Sequence, residues 1–157
     1  YGSGQARWNS KSRIVATSIE DIERQVFDEN SNVDILVALQ ASGALQGVWP
    51  SVEINGKHFF DGGSFSMENP DVFVDADKML VLSTGLPVDV PYKLEDLLAQ
   101  LEKKGTETSL VLPSEKTMNI LKDFNYNMVE AKIRPFVAQA GREQGQAEAA
   151  LIKERWL

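Results

Sequence analysis

The sequence contains no cysteine. Disulfides, thiolate metal ligands and a cysteine nucleophile are thereby excluded together. It contains one histidine, His58, which rules out a histidine-rich metal centre and makes any Ser-His-Asp triad depend on that ring. No stretch approaches the roughly 18 consecutive apolar residues that mark a membrane-spanning helix. No signal-peptide pattern opens these residues, so the expected localisation is cytoplasmic. Cations are the minority charge: 16 Lys and Arg stand against 23 Asp and Glu, for a net charge of −7. Phosphate backbones are held by clustered Lys and Arg, so nucleic acid is not an expected partner. Local patches count for more than totals, which keeps a peripheral membrane contact open. Internal repeats, low-complexity tracts and a Gly-x-Ser-x-Gly nucleophile elbow are all missing. No motif calls for a metal or an organic cofactor.

What remains is a chain of 157 residues, 43% apolar and 25% charged. That is the size and balance of one globular domain, long enough to bury roughly two-thirds of its unfolded surface. Residues 1–10 begin with a small, polar run and are read as a flexible lead-in; residues 11–157 form the folded part. Arg13-Ile-Val-Ala-Thr-Ser18 is apolar and β-branched, which predicts a buried strand. Val26 and Phe27 mark a second short strand. Asp34 to Ala44 is apolar on most faces and predicts a buried helix with Asn32 as its N-cap. Asn55-Gly56 between two short apolar runs predicts a β-hairpin, because both residues tolerate positive φ. Met79 to Ser83 reads as a fully buried strand of the parallel-sheet type. Leu94, Leu97, Leu98 and Leu101 repeat at helical spacing, with Gly105 as the C-cap. Beyond Pro113 the chain is helical, starting from Ser114 as N-cap, with a break or new start at Pro135. Ala138, Gly141, Gly145 and Ala149 share a face of the last helix, and glycine there predicts close packing of another element. Strands mixed with helices give an α/β class.

The residue best placed for chemistry is Asp61. It ends the second hairpin strand and is followed by Gly62 and Gly63, so a rigid element presents its carboxylate while the glycines leave room for a substrate. A general base is presented in this way. The same tripeptide is also an ordinary turn in which the aspartate bonds backbone amides. Ser42, Ser64 and Ser66 are the nearest serines, but none lies in an elbow, and they read as caps or turn residues. His58 reads as a strand-surface residue. Asp71, Asp75 and Asp77 resemble a weak metal cluster, against the plainer reading of a solvated turn. Trp8, Trp49 and Trp156 are scattered and form no stacking platform.

One long pattern joins these pieces. Ala41-Ser-Gly-Ala-Leu-Gln-Gly-Val-Trp-Pro50, then Val52-Glu-Ile-Asn-Gly56, then Phe60-Asp-Gly-Gly63, resembles the second conserved block of patatin-like phospholipases. There a segment like Ala-Ser-x-Ala-x-Pro-Gly-x-Phe/Trp-Pro-Pro leads into a hairpin ending in Asp-Gly-Gly/Ala. Asn69 matches a family asparagine, Asp77 to Ser83 resembles the following strand, and Asn127-Met128 and Ala140 to Gly145 resemble the tail of bacterial members. The resemblance runs from about Arg13 to Trp156. It implies a three-layer α/β/α sandwich with a central, mostly parallel sheet, of which this chain would be the later half. It also implies a serine hydrolase of lipid acyl esters working through a Ser-Asp dyad, with Asp61 as base. The glycine-rich oxyanion loop and the serine elbow of the family are missing here, so the nucleophile would lie outside this chain. Gln46 and Ser51 stand where the family has prolines, and Gly43 where Ser or Cys is usual. A half-sandwich would leave a sheet edge and apolar helix faces uncovered, notably those of the Ile35 and Leu94 segments. A partner is therefore expected: the N-terminal half, another subunit or a second copy.

Overall fold

The computed structural model describes residues 6–127 and 129–156. Residues 1–5 of the lead-in and Met128 of the Asn127-Met128 motif lie outside the described residues. Residue contacts divide the chain into two compact units, one of residues 1–76 and 88–106, the other of 77–87 and 107–157. Both contain helices and strands, so the class is mixed α/β. Among the described residues no helix is long and apolar enough to cross a membrane.

The first unit is built on a four-stranded sheet. Strand β1 (Ile14–Ser18) turns back through residues 19–23 into β2 (Arg24–Phe27), and β3 (Val52–Ile54) turns through Asn55-Gly56 into β4 (Lys57–Asp61). The strand order is β2-β1-β4-β3, antiparallel throughout. The short turns dictate antiparallel pairing of β1 with β2 and of β3 with β4, since parallel neighbours need a long crossover. Ile54 pairs directly with Lys57 across the hairpin. Asn55 (φ 52°) and Gly56 (φ 79°) both take positive φ, as the tight turn requires.

Helix α1 (Ile35–Ser42) packs on β1, β3 and β4. Its N-cap is Asp34, whose side chain accepts a hydrogen bond from the Leu36 amide at 2.8 Å. Asn32, the predicted cap, instead holds a left-handed backbone (φ 52°). The helix is not wholly buried either. Ala38 and Ala41 enter the core, while Leu36 and Leu39 are 56% and 50% exposed. Small residues on the inner face let the helix lie close to the sheet, and the leucines fall on the outer face. The core consists of Ala16, Phe27, Ala38, Ala41, Ile54 and Phe59. Phe27 and Phe59 meet edge to face at 5.4 Å, a geometry aromatic quadrupoles favour. Trp8 packs against this core and donates its indole N–H to the Val33 carbonyl at 2.7 Å.

Helix α2 (Leu94–Lys103) also belongs to this unit. The Gly105 amide bonds Glu102 O and the Thr106 amide bonds Leu101 O, which is the paired C-terminal closure that glycine (φ 101°) permits. Leu97 and Leu101 are buried, and α2 packs on the turn Pro70–Phe73. The apolar face of the Leu94 segment, expected to be uncovered, is therefore covered. The Ile35 segment does expose apolar side chains.

In the second unit, β5 (Lys78–Leu82) pairs in parallel with β6 (Glu107–Val111). The larger sheet is thus antiparallel, and parallel pairing is confined to these two strands. Met79 to Ser83 is not fully buried: Val81 is, but Leu82 is 71% exposed. Two helices complete the unit, α3 (Glu115–Asp123), capped by Ser114, and α4 (Arg134–Trp156), which starts anew with Pro135 in its first turn. On α4, Gln144 donates to the Leu112 carbonyl at 2.7 Å and accepts from the Ser114 amide at 2.8 Å. A Cβ placed on Gly141 or Gly145 would meet no atom within 4 Å. The expected close packing against those glycines is absent among the described residues.

Candidate active site

Asp61 is the last residue of β4 and pairs with Ala16 of β1. Its backbone is held on both sides. The Asp61 amide donates to the Ala44 carbonyl at 3.1 Å, and its carbonyl accepts the Thr17 hydroxyl at 3.2 Å. The side chain is half-buried. One carboxylate oxygen, Oδ1, accepts the Gly63 amide at 2.7 Å and so caps the short turn Gly62–Ser64.

The two glycines serve different ends. A Cβ on Gly62 would lie 2.6 Å from the Val15 carbonyl oxygen and 2.8 Å from its carbon. Only a residue without a side chain lets this turn approach β1 so closely. A Cβ on Gly63 would lie 2.9 Å from Asp61 Oδ1, so this glycine clears space for the carboxylate itself. Strand end, backbone clamps and bare turn fix the carboxylate without enclosing it.

A second set of residues braces the same turn. Asn69 sits in a left-handed conformation (φ 49°) before the turn Pro70–Phe73. It is buried, and its amide nitrogen donates to Gly62 O at 3.1 Å and to Ser66 O. Its amide oxygen accepts from Arg24 at 3.3 Å. Arg24 in turn grips both oxygens of Asp71 at 2.6 and 2.8 Å. It also lies over the Phe65 ring at 4.8 Å, and Phe65 stacks on Tyr92 at 4.3 Å. Arginine suits this position because its planar fork matches a carboxylate and its face stacks on an aromatic ring. Nothing in local spacing points to Arg24, whose partners lie 45 and 47 residues away.

The other candidates go elsewhere. Asp71 is committed to Arg24, and among the described residues no three histidine or acidic side chains are grouped to hold a metal ion. That corrects the alternative of an Asp71, Asp75 and Asp77 cluster. Ser42 ends α1 and Ser64 ends the turn after Asp61. Ser66 is fully buried, and its hydroxyl has no hydrogen-bond partner among the described residues. His58 is exposed on the hairpin, where its backbone amide donates to Glu20 at 3.0 Å and its Nδ1 lies 3.2 Å from the same carboxylate. Beside it Lys57 pairs with Asp21 at 2.8 Å. The His58 amide holds the Glu20 carboxyl below its ordinary pKa, and the Lys57 ammonium does the same for Asp21.

An open groove of about 430 Å³ lies between the end of α1 and the start of β3. Leu39, Gln40, Gly43, Ala44, Trp49, Pro50, Ser51 and Val52 line it. One of these, Ala44, accepts the Asp61 amide through its carbonyl. Trp49 is 61% exposed. The second unit has a groove of its own, about 360 Å³, lined by Leu82, Val111, Leu112, Gly141 and Gly145 among others. Compared with known proteins, the sequence matches no family model and no curated protein.

Proposed function

We propose that this chain is the later part of a patatin-like lipid acyl hydrolase, a three-layer α/β/α sandwich whose Ser-Asp dyad takes its aspartate from Asp61. The nucleophilic serine comes from outside these residues, supplied by an N-terminal half or another subunit. The substrate is a carboxylic ester of a lipid, met in solution or at a membrane surface. The observation that carries this reading is the presentation of Asp61: a half-buried carboxylate at a strand end, clamped through Ala44 and Thr17, above a turn that glycine alone can make.

The chemistry follows from that placement. Asp61 takes the proton from the serine hydroxyl as its oxygen attacks the ester carbonyl. The protonated carboxyl then gives that proton to the departing alcohol. In the second half-reaction Asp61 takes a proton from water as it attacks the acyl ester, and returns that proton to the departing serine oxygen, which releases the free acid and restores both residues. Gly62 and Gly63 support the step by holding the carboxylate in place and leaving its outer side open.

Fluorophosphonate labelling of natively purified material, read by intact mass, tests this. An adduct on a copurifying polypeptide is the expected result. An adduct on this chain would mean that a serine here is the nucleophile, and no adduct anywhere would leave a binding module. That second reading, a non-catalytic patatin-like binding or oligomerisation module, has one observation in its favour. Asp61 already spends a carboxylate oxygen on capping its own turn, which an ordinary structural aspartate also does.

A further inference from the structure

We infer that Arg24 is a positioning residue for the Asp61 carboxylate, acting through the Asn69 amide and the peptide that joins Gly62 to Gly63. Its bearing on activity rests on the catalytic reading of Asp61; the linkage itself rests on geometry. Arg24 stands in the cross-strand row of Thr17 and Phe60, and Asp61 in the adjacent row of Ala16 and Gln25. Adjacent rows point to opposite faces of a sheet, so the guanidinium cannot meet the carboxylate directly across the strands. It acts on it around the strand end.

The link is a single peptide plane. The Gly63 amide donates to Asp61 Oδ1 at 2.7 Å and is the one donor to this carboxylate among the described residues. The carbonyl of that same peptide, Gly62 O, accepts the Asn69 side-chain nitrogen at 3.1 Å and the Phe65 amide at 3.2 Å. A peptide unit is planar and rigid, so whatever holds the carbonyl also aims the N–H. Between two glycines such a unit turns over at little steric cost, and its aim must be set by neighbours. Asn69 can set it only if its buried amide faces the right way. Gly62 O and Ser66 O only accept, whereas a guanidinium only donates. Arg24, at 3.3 Å, therefore holds the Asn69 oxygen toward itself and the nitrogen toward the turn. Asp71 in turn fixes Arg24 through both carboxylate oxygens. Arg13 provides the contrast. It grips the same Pro70–Phe73 turn, donating to Val72 O and lying over the Phe73 ring at 4.6 Å, but not through Asn69.

The test follows the Gly63 amide by NMR in the isotope-labelled full chain. In Arg24→Ala its proton should move upfield, toward its position in Asp61→Ala, where the bond is lost. Its hydrogen exchange should quicken about tenfold, the worth of one hydrogen bond. The amides of Asp61 and Ala38, which bond Ala44 O and Asp34 O, should keep their wild-type exchange rates. Arg13→Ala should leave Gly63 unchanged. Arg24→Lys keeps the charge without the planar fork; it should move Gly63 in the same direction, and it answers the question if Arg24→Ala does not fold. In the assembled enzyme Arg24→Lys should lower kcat about tenfold with KM changed by less than about twofold. A Gly63 amide indifferent to both Arg24 variants overturns the inference. So does an equal quickening of the Gly63, Asp61 and Ala38 amides, since Arg24 then only stabilises the fold, and so does an equal response to Arg13→Ala. A raised KM with unchanged kcat overturns it as well. Fluorophosphonate labelling tests the base separately. A selective Gly63 response without labelling defeats the catalytic reading alone, and labelling with an indifferent Gly63 defeats the linkage alone.

Discussion

The two units of this chain differ in how firmly they are built and in where their charge lies. The first carries eight Lys and Arg against fifteen Asp and Glu, the whole net charge of −7, while the second carries eight of each. The first has four strands in one antiparallel sheet and a core containing Phe27, Phe59 and Ile54. The second has two parallel strands, and its buried apolar residues are Val81, Leu121, Ile133 and Ala140. Parallel strands are ordinarily covered on both faces, yet Leu82, Leu110 and Leu112 are exposed here. The candidate chemistry sits in the better-packed unit. A carboxylate must be held to within a fraction of an ångström to act as a base, and only the four-stranded sheet supplies such a frame.

Substitutions can sharpen or break that comparison. The largest expected effect is on activity: Asp61→Asn should lower ester hydrolysis about 10²–10⁴-fold in the assembled enzyme while leaving the melting temperature near that of the wild type. Unchanged turnover would remove the role assigned to Asp61. Next is the core of the first unit. Phe59→Ala should cost about 3–5 kcal/mol in denaturant unfolding, whereas Leu82→Ala in the second unit should stay within about 0.5 kcal/mol; similar losses for the two would erase the contrast. Gly62→Ala should cost about 1–3 kcal/mol, because the new methyl meets the Val15 backbone rather than a movable side chain. Ser66→Ala removes a buried hydroxyl without a described partner, so stability should hold or rise by up to about 1 kcal/mol.

The smallest effect is electrostatic. The carboxyls of Glu20 and Asp21 are held below their ordinary values, chiefly by the His58 amide and the Lys57 ammonium. A carboxyl whose folded pKa is depressed stabilises the fold above its unfolded pKa, and that contribution fades as pH falls through the folded value. Acid melting curves of Asp21→Asn should therefore slope slightly less than those of the wild type, and the difference should shrink with salt.

Much of the frame of the first unit was legible in the sequence, because it is written in local rules. Asn55-Gly56 fixed the hairpin, and the Leu94 periodicity with Gly105 fixed α2 and its end. Ser114 and Pro135 marked the helix starts that the structure has. What escaped depends on tertiary contact. Asn32 and Asp34 are both good caps, and only the position of the first helical turn separates them. Apolar composition marked α1 as buried, but it cannot say that the alanines face inward and the leucines outward. Gly141 and Gly145 suggested a close neighbour that is absent among the described residues. Asp61 was legible from its place at a strand end before two glycines. The brace formed by Arg24, Asn69 and Asp71 was not, since its members meet only after more than forty intervening residues have folded.

The bare turn after β4 sets three adjacent residues under three different selections. In a library randomised at 61–63 and sorted only for folded protein, position 62 should return almost nothing but glycine, because every alternative collides with β1. Position 63 should tolerate other residues only where 61 no longer needs the space beside it. Position 61 itself should drift freely among short polar residues. Sorting the same library for activity would freeze all three. The difference between the two sorts, read residue by residue, would separate the part of Asp-Gly-Gly that makes a fold from the part that makes an enzyme.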